Sequence, residues 1–276
     1  MRFSHTVFAL PFALIAFLVA THTEREGKVS LPLLGWVLVC MVTARTAAMC
    51  FNRLVDWEFD KKNPRTALRH TLISKEAGWV VMALGLALLF FATWKINWLC
   101  FVLSPLMVVV ILSYSLMKRV TAFSHFFLGF ALGIAPVGAW AAVTGELFSI
   151  QPFVLGVAVL CWTLGFDLIY ATLDMEFDKQ AGLFSFPSRY GIQATLYLAR
   201  ILHGVAFIGF VAFGWLAQLS VYYWLACAVT LYQLAQEHRI AKRADAGSIN
   251  QAFFTANAIV SVSLLVGVCL DLWVSR

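Results

Sequence analysis

The sequence predicts an all-α integral membrane protein, with about nine transmembrane helices in two related bundles around a central cavity. Three observations support this class. Hydrophobic residues make up 62% of the 276 positions and charged residues only 12%, where a soluble domain carries roughly 45–50% and about 25%. Apolar runs long enough to cross a bilayer recur from one end of the chain to the other. Finally, the run Asp56-Trp57-Glu58-Phe59-Asp60-Lys61 returns as Asp174-Met175-Glu176-Phe177-Asp178-Lys179, an internal repeat at an offset of 118 residues.

The apolar runs fall at about 7–21, 31–51, 77–94, 97–116, 121–144, 150–171, 193–214, 219–235 and 253–274. Each is near the roughly 17–25 residues that cross about 30 Å of hydrocarbon. The first is short and follows Arg2, as a secretory signal would. It is preceded by His5, contains Pro11 and lacks a small-x-small cleavage site, so it reads as a retained first helix. The second leads into the first acidic run. The third and fourth join closely around Lys95, as do the seventh and eighth around Leu216, and either join could shift the count by one. The fourth ends in Tyr114-Ser115-Leu116-Met117-Lys118-Arg119. The fifth contains Gly129, Gly133 and Gly138, which lack phosphate-loop spacing and read as close helix packing. The sixth carries Asp167 and leads into the second acidic run. A mean hydropathy of +0.84 leaves little room for a soluble domain. No Ser/Gly linker divides the chain, so residues 1–276 read as a single domain.

With the N-terminus inside, fourteen of the 20 Lys and Arg residues fall in loops on one side of the membrane. Arg25, Lys28, Lys95 and Arg276 fall on the other. Basic residues concentrate on the cytoplasmic side, so both acidic repeats are expected there. The net charge of +6 is mainly this topology signal, and nucleic acid is not an expected partner. The six cysteines lie scattered in apolar spans without CxxC spacing and read as small hydrophobes. The six histidines form no H-x-x-H pattern, and His125, in the loop after Lys118, reads as structural.

In the first acidic motif Asn52, Asp56 and Asp60 are spaced i, i+4, i+8. In the second, Asp167, Tyr170, Asp174 and Asp178 are spaced i, i+3, i+7, i+11. On a continuous α-helix each series would keep to one side. Stacked carboxylates repel one another unless cations sit on them. Mg²⁺ suits such a site because it takes oxygen ligands and typically bridges one or two carboxylates to phosphate oxygens. Two acidic walls could therefore clamp a diphosphate. The bland alternative is a pair of solvated helix ends, but recurrence on one membrane side argues against it. An ionisable residue inside a span, such as Asp167, is a functional candidate by default. Glu58 and Glu176 point to another helix face and read as solvated.

Cations accompany the acids. Arg65 follows Asp60 in Asn63-Pro64-Arg65-Thr66, where Pro64 should end the helix. Lys118 and Arg119 close the fourth span, and Arg189 follows the second motif. Each alone is a topology anchor; together with metal carboxylates they fit a site that neutralises a diphosphate leaving group. Arg45 lies nearly two helical turns deeper than Asn52 on about the same face. It should face a cavity, where its guanidinium either receives a carboxylate bidentately or pairs with a motif aspartate.

These residues resemble the UbiA family of membrane aromatic prenyltransferases. The family's first motif, N-D-x-x-D-x-x-x-D followed by R-T, is matched by Asn52, Asp56, Asp60, Arg65 and Thr66. Its second, D-x-x-Y-x-x-x-D-x-x-x-D, is matched by Asp167, Tyr170, Asp174 and Asp178, and Y-x-x-x-K-R by Tyr114, Lys118 and Arg119. One departure is clear: Arg53 stands where most of the family has aspartate. That departure, with the opening Phe3-Ser4-His5-Thr6-Val7-Phe8, resembles a 4-hydroxybenzoate polyprenyltransferase-like subgroup, some of it assigned to menaquinone synthesis.

The resemblance implies a Mg²⁺-dependent enzyme of quinone synthesis in a bacterial plasma membrane. Asn52, Asp56, Asp60, Asp174 and Asp178 would hold the metal against the diphosphate of a polyprenyl donor, with Arg65, Lys118 and Arg189 assisting. The prenyl group would pass to a ring carbon of an aromatic acid such as 4-hydroxybenzoate or a dihydroxynaphthoate. Tyr114 and Tyr170 would face the allylic cation. The tail would leave sideways into the lipid bilayer. From a different class, a polytopic secondary transporter would also use internal repeats and intramembrane acids.

Overall fold

The computed structural model describes residues 6–62, 73–117, 119–242 and 246–274. Among them the chain is all helix: α1 (Thr6–Glu24), α2 (Leu31–Val55), α3 (Trp57–Lys62), α4 (Lys75–Ile96), α5 (Trp98–Met117), α6 (Ser124–Thr144), α7 (Ile150–Ala171), α8 (Met175–Gln180), α9 (Phe186–Leu216), α10 (Val221–Ala241) and α11 (Ala246–Val274). Nine of these described helices have 19 residues or more and coincide in order with the nine apolar runs. Seven are long and apolar enough to cross a membrane. α1 and α10 are the two that are not: the apolar part of α1, Phe8–Glu24, is shorter, and α10 carries Gln233, Gln236, Glu237 and His238 near its end.

The joins follow from local chemistry. Pro32 opens α2, where its missing N–H costs nothing. Ser74 caps α4 by accepting from the Ala77 N–H at 3.2 Å. A single residue, Asn97, separates α4 from α5. Its N–H donates to Thr93 O, its Oδ1 accepts from Cys100 N at 2.8 Å, and its Nδ2 donates to Ala141 O of α6 at 2.9 Å. The close join at Lys95 is therefore a true break between two helices. Ser185 and Ser188 form a reciprocal capping box at the start of α9. Gly191, at φ 81°, then kinks that helix with a conformation that a Cβ disfavours.

The segment with a signal-like sequence fills the core. Phe8, Phe12, Ile15, Ala16 and Phe17 of α1 are all at most 1% exposed. The Phe12 ring stacks on Phe210 of α9 with centroids 5.5 Å apart and meets Trp162 of α7 edge-on at 5.2 Å. α1 lies against α6 and α11, α2 packs with α4 and α5, and α7 packs with α6 and α9. The α6–α7 crossing depends on glycine. A Cβ at Gly133 would stand 2.7 Å from Gly156 O, and one at Gly129 2.8 Å from Leu160 O. Gly138 has open space around it, so its expected role in close packing does not hold.

The outer surface is hydrocarbon-like. Val80, Leu84, Leu88 and Phe91 form an exposed row along α4, and Tyr197, Ile201, Val205 and Ile208 do the same on α9. Such continuous apolar faces would drive aggregation in water and suit a lipid environment. Two groups of buried polar side chains are paired inside. Asp271 of α11, 3% exposed, accepts from the backbone N–H groups of Ser220, Tyr222 and Tyr223 at 2.7, 3.1 and 3.0 Å. It caps the α10 N-terminus from a neighbouring helix. Buried His203 meets His238 Nε2 at 3.0 Å and Trp162 O at 3.2 Å, while Asn257 donates to Glu237 at 3.3 Å. Gly165 makes room for this network, because a Cβ there would collide with the His203 ring.

Candidate active site

Both acidic motifs sit where a long helix breaks and a six-residue helix resumes. α2 ends at Val55, Asp56 leaves helical geometry (φ −88°, ψ 10°), and α3 follows. In the second copy α7 ends at Ala171, a 3₁₀ turn spans Thr172–Asp174, and α8 follows from Met175. Asp174 has nearly the same backbone as Asp56, φ −104° and ψ 4°. The duplication is therefore structural as well as textual. It also corrects the expectation that each series runs along one continuous helix. A short aspartate side chain competes with the backbone for hydrogen bonds and favours a break. Past the break, Asp60 and Asp178 are turned inward, 7% and 2% exposed. Glu58 and Glu176 face out, pairing with Lys61 and Lys75 in one copy and Lys179 in the other. The solvated reading of both glutamates holds.

Around the first motif the side chains are tied to one another. Asn52 Nδ2 donates to Asp56 Oδ2 at 3.0 Å, leaving the amide oxygen outside that bond. Arg53 Nη1 donates to Asp60 Oδ2 at 3.1 Å. Arg119 reaches across from the end of α5, donating to Val55 O at 2.6 Å and Asp56 Oδ1 at 3.4 Å, with its guanidinium 5.1 Å from the Phe59 ring centroid. Tyr114 of α5 lies near Asp56 and near Arg45 and Arg53 of α2. Arg45 is half-buried there, and no ion pair joins it to a described acid. The alternative of an internal salt bridge is thus not what these residues show.

At the second motif, Asp167 Oδ2 lies 2.6 Å from His125 Nδ1, and His125 is 3% exposed on the first turn of α6 rather than in a loop. Its structural reading gains a specific content: it holds a motif carboxylate. Tyr170 packs half-buried against the core. Arg189 is exposed, lies 5.9 Å from the Tyr190 ring, and is not joined to a described acid. Arg65 and Lys118 lie outside the described residues. Sequence reasoning missed the partnership of Arg53 with Asp60, although seven residues amount to almost two helical turns.

The donor set is carboxylate and amide oxygen, the chemistry that hard cations such as Mg²⁺ take. Among the described residues, no three acids, histidines or cysteines converge into a ready-made metal cage. That fits an ion that arrives with a phosphorylated ligand and completes its shell from phosphate and water better than an all-protein site.

A bundle with lipid-like outer faces, carrying two equivalent aspartate breaks of which the first is paired with Arg53 and Arg119, defines a polytopic membrane protein with a duplicated acidic site. The chain belongs to the UbiA prenyltransferase family, whose pattern matches residues 9–259. It is 28% identical over 271 residues to 4-hydroxybenzoate solanesyltransferase of Synechocystis sp., covering 93% of this chain and 89% of that one. Identity to 4-hydroxybenzoate octaprenyltransferase of Xanthomonas campestris is also 28%, over 80% of this chain and 72% of the relative. The apo structure of a UbiA homolog from Aeropyrum pernix K1 superposes with a TM-score of 0.87 at 28% identity, over 98% of this chain and 99% of that one. A UbiA homolog from Archaeoglobus fulgidus bound to GPP and Mg²⁺ shares the fold, with a TM-score of 0.65 at 18% identity over 98% and 99% of the two chains.

Proposed function

We propose that this protein is a Mg²⁺-dependent aromatic polyprenyltransferase. It moves a polyprenyl group from its diphosphate to a ring carbon of 4-hydroxybenzoate in quinone synthesis. The observation that carries the reading is the pair of equivalent breaks at Asp56 and Asp174, each followed four residues on by a buried aspartate, Asp60 and Asp178. The names of the relatives support the acceptor, and the GPP- and Mg²⁺-bound homolog supports the donor and the metal.

Asp56, Asp174 and Asp178, with the Asn52 amide oxygen, would hold Mg²⁺, and Asp60 stands beside them paired with Arg53. When bound, the ion neutralises charge on the departing diphosphate. The chain's own cations share that work: Arg119 is already fixed beside Asp56, Lys118 precedes it directly in sequence, and Arg65 and Arg189 follow the motifs. Heterolysis of the prenyl C–O bond leaves its electron pair on the diphosphate. The allylic cation is then attacked by the electron-rich ring, which finally loses its ring proton. Tyr114 and Tyr170 offer π faces to the cation, and the apolar helices exclude water that would quench it. Arg45, in the space beside Tyr114, is the group we assign to the acceptor carboxylate. The whole chain acts as one domain, with nine crossings, a central cavity between the two halves, and the acidic face towards the cytoplasm as the basic residues indicate.

The test is product formation by the purified protein in lipid, with Mg²⁺, a labelled polyprenyl diphosphate and each candidate acid separately. A C-prenylated 4-hydroxybenzoate is the expected product. Label found only in a prenylated dihydroxynaphthoate would reassign the acceptor, and no product from any acid would overturn the transferase reading.

A further inference from the structure

Arg53 is a residue of the first motif whose presence the proposed chemistry leaves unexplained. It stands between two motif members, Asn52 and Asp56, where a cation opposes the binding of a second cation. Across the break at Asp56 its guanidinium reaches Asp60 at 3.1 Å, with side-chain exposures of 24% and 9%. A short, half-buried, charge-assisted contact of this kind is a defined feature of the site. The repeat sharpens the point. At the offset of 118 residues Asp60 corresponds to Asp178, and Arg53 corresponds to Ala171, whose methyl group carries no charge. The two halves thus have equivalent buried aspartates but only the first has this arginine.

A divalent ion settling on Asp60 would have to displace the guanidinium or lie against it. The guanidinium also presents several further N–H donors beyond the one used on Asp60. Tyr114 of α5 lies near it. We propose that Arg53 is a resident cation of the first motif: it replaces one divalent ion at Asp60 and offers its remaining donors to the donor diphosphate. Asp60 is then a positioning residue for Arg53, and the divalent ion is held by the other motif oxygens. The inference rests on the transferase reading for its ligand, and concerns how many ions that ligand brings with it.

Native mass spectrometry of the detergent-solubilised chain with Mn²⁺ and inorganic pyrophosphate counts bound ions directly, without turnover. The wild type is expected to carry one Mn²⁺ fewer per bound pyrophosphate than Arg53→Asp. Asp60→Asn is expected to keep the wild-type count while weakening pyrophosphate binding about tenfold, because Arg53 loses its anchor. Asp174→Asn with Asp178→Asn controls for adventitious adducts. Equal counts in wild type and Arg53→Asp, or a count that falls in Asp60→Asn, would overturn the inference and leave the metal-diphosphate site standing. No specific Mn²⁺ on the wild type would overturn that site as well. If Arg53→Asp fails to fold, the Asp60→Asn count still decides the question.

Discussion

Replacing Asp271 by asparagine separates a structural acid from a catalytic one. Asp271 is 3% exposed and Asp178 2%, so burial alone does not distinguish them. The Asp271 carboxylate accepts three backbone N–H groups at the α10 N-terminus, at 2.7 to 3.1 Å. Asparagine retains one acceptor oxygen, and its amide nitrogen turns a donor towards at least one of those N–H groups. The variant also loses the negative charge that complements the helix dipole. A charge-assisted bond contributes about 1.5–3 kcal/mol, and an unsatisfied buried donor costs a similar amount. A net loss of about 3 kcal/mol is expected, which lowers Tm by about 6–12 °C in a chain of this size. The assay is loss of helical circular dichroism on heating in nanodiscs. Cys227, 4% exposed on α10, supplies a local readout: its alkylation should accelerate in Asp271→Asn. Turnover at low temperature should remain near wild type. A Tm within about 2 °C of wild type, with Cys227 still protected, would refute the capping argument.

Further outcomes follow from the same structure. Asp56→Asn and Asp174→Asn should each reduce prenyl transfer about 100-fold or more while keeping helicity and insertion; full activity in both would remove the metal assignment. Arg45→Ala should raise KM for the aromatic acid about tenfold or more and leave the KM of the donor unchanged, and Arg45→Lys should restore only part of the loss. An equal rise in both KM values would place Arg45 elsewhere. Gly133→Ala should cost about 1–3 kcal/mol, because its Cβ would meet Gly156 O at 2.7 Å. Gly138→Ala should be neutral in the same thermal assay, and a reversal of that order would contradict the α6–α7 crossing.

The parts of this molecule that could be read from sequence are those with a period or a cost. Nine apolar runs gave nine long described helices, seven of them long and apolar enough to cross a membrane, because an apolar run must satisfy its own backbone bonds where water is absent. The acidic repeats stood out because aspartate is expensive there, and the solvated reading of Glu58 and Glu176 followed from their opposite helix face. Breaks at Asp56 and Asp174 were not legible, since six-residue helices such as α3 and α8 are too short to leave a periodic signal. The extra turns of α9, α10 and α11 at the motif end were also missed, because hydropathy marks the membrane and not the helix. Asp271 and the His203–Glu237 network depend on partners on other helices, and only the presence of acids in apolar segments hinted at them. Arg53 and Asp60 are different: their spacing was visible, but charge was being counted for metal rather than for mutual pairing.

Joint action of the two broken-helix aspartate motifs on a polyprenyl diphosphate, with 4-hydroxybenzoate as acceptor, is the heart of the proposed mechanism. A single-turnover experiment in nanodiscs tests it most directly. Enzyme in excess is mixed with labelled polyprenyl diphosphate and 4-hydroxybenzoate, with Mg²⁺ or with a chelator, and prenylated acid and released diphosphate are quantified together. One product per diphosphate is expected in Mg²⁺, none in chelator, and almost none in Asp174→Asn. Bound donor that remains intact in Mg²⁺, or product that forms equally well in Asp174→Asn, would contradict that mechanism.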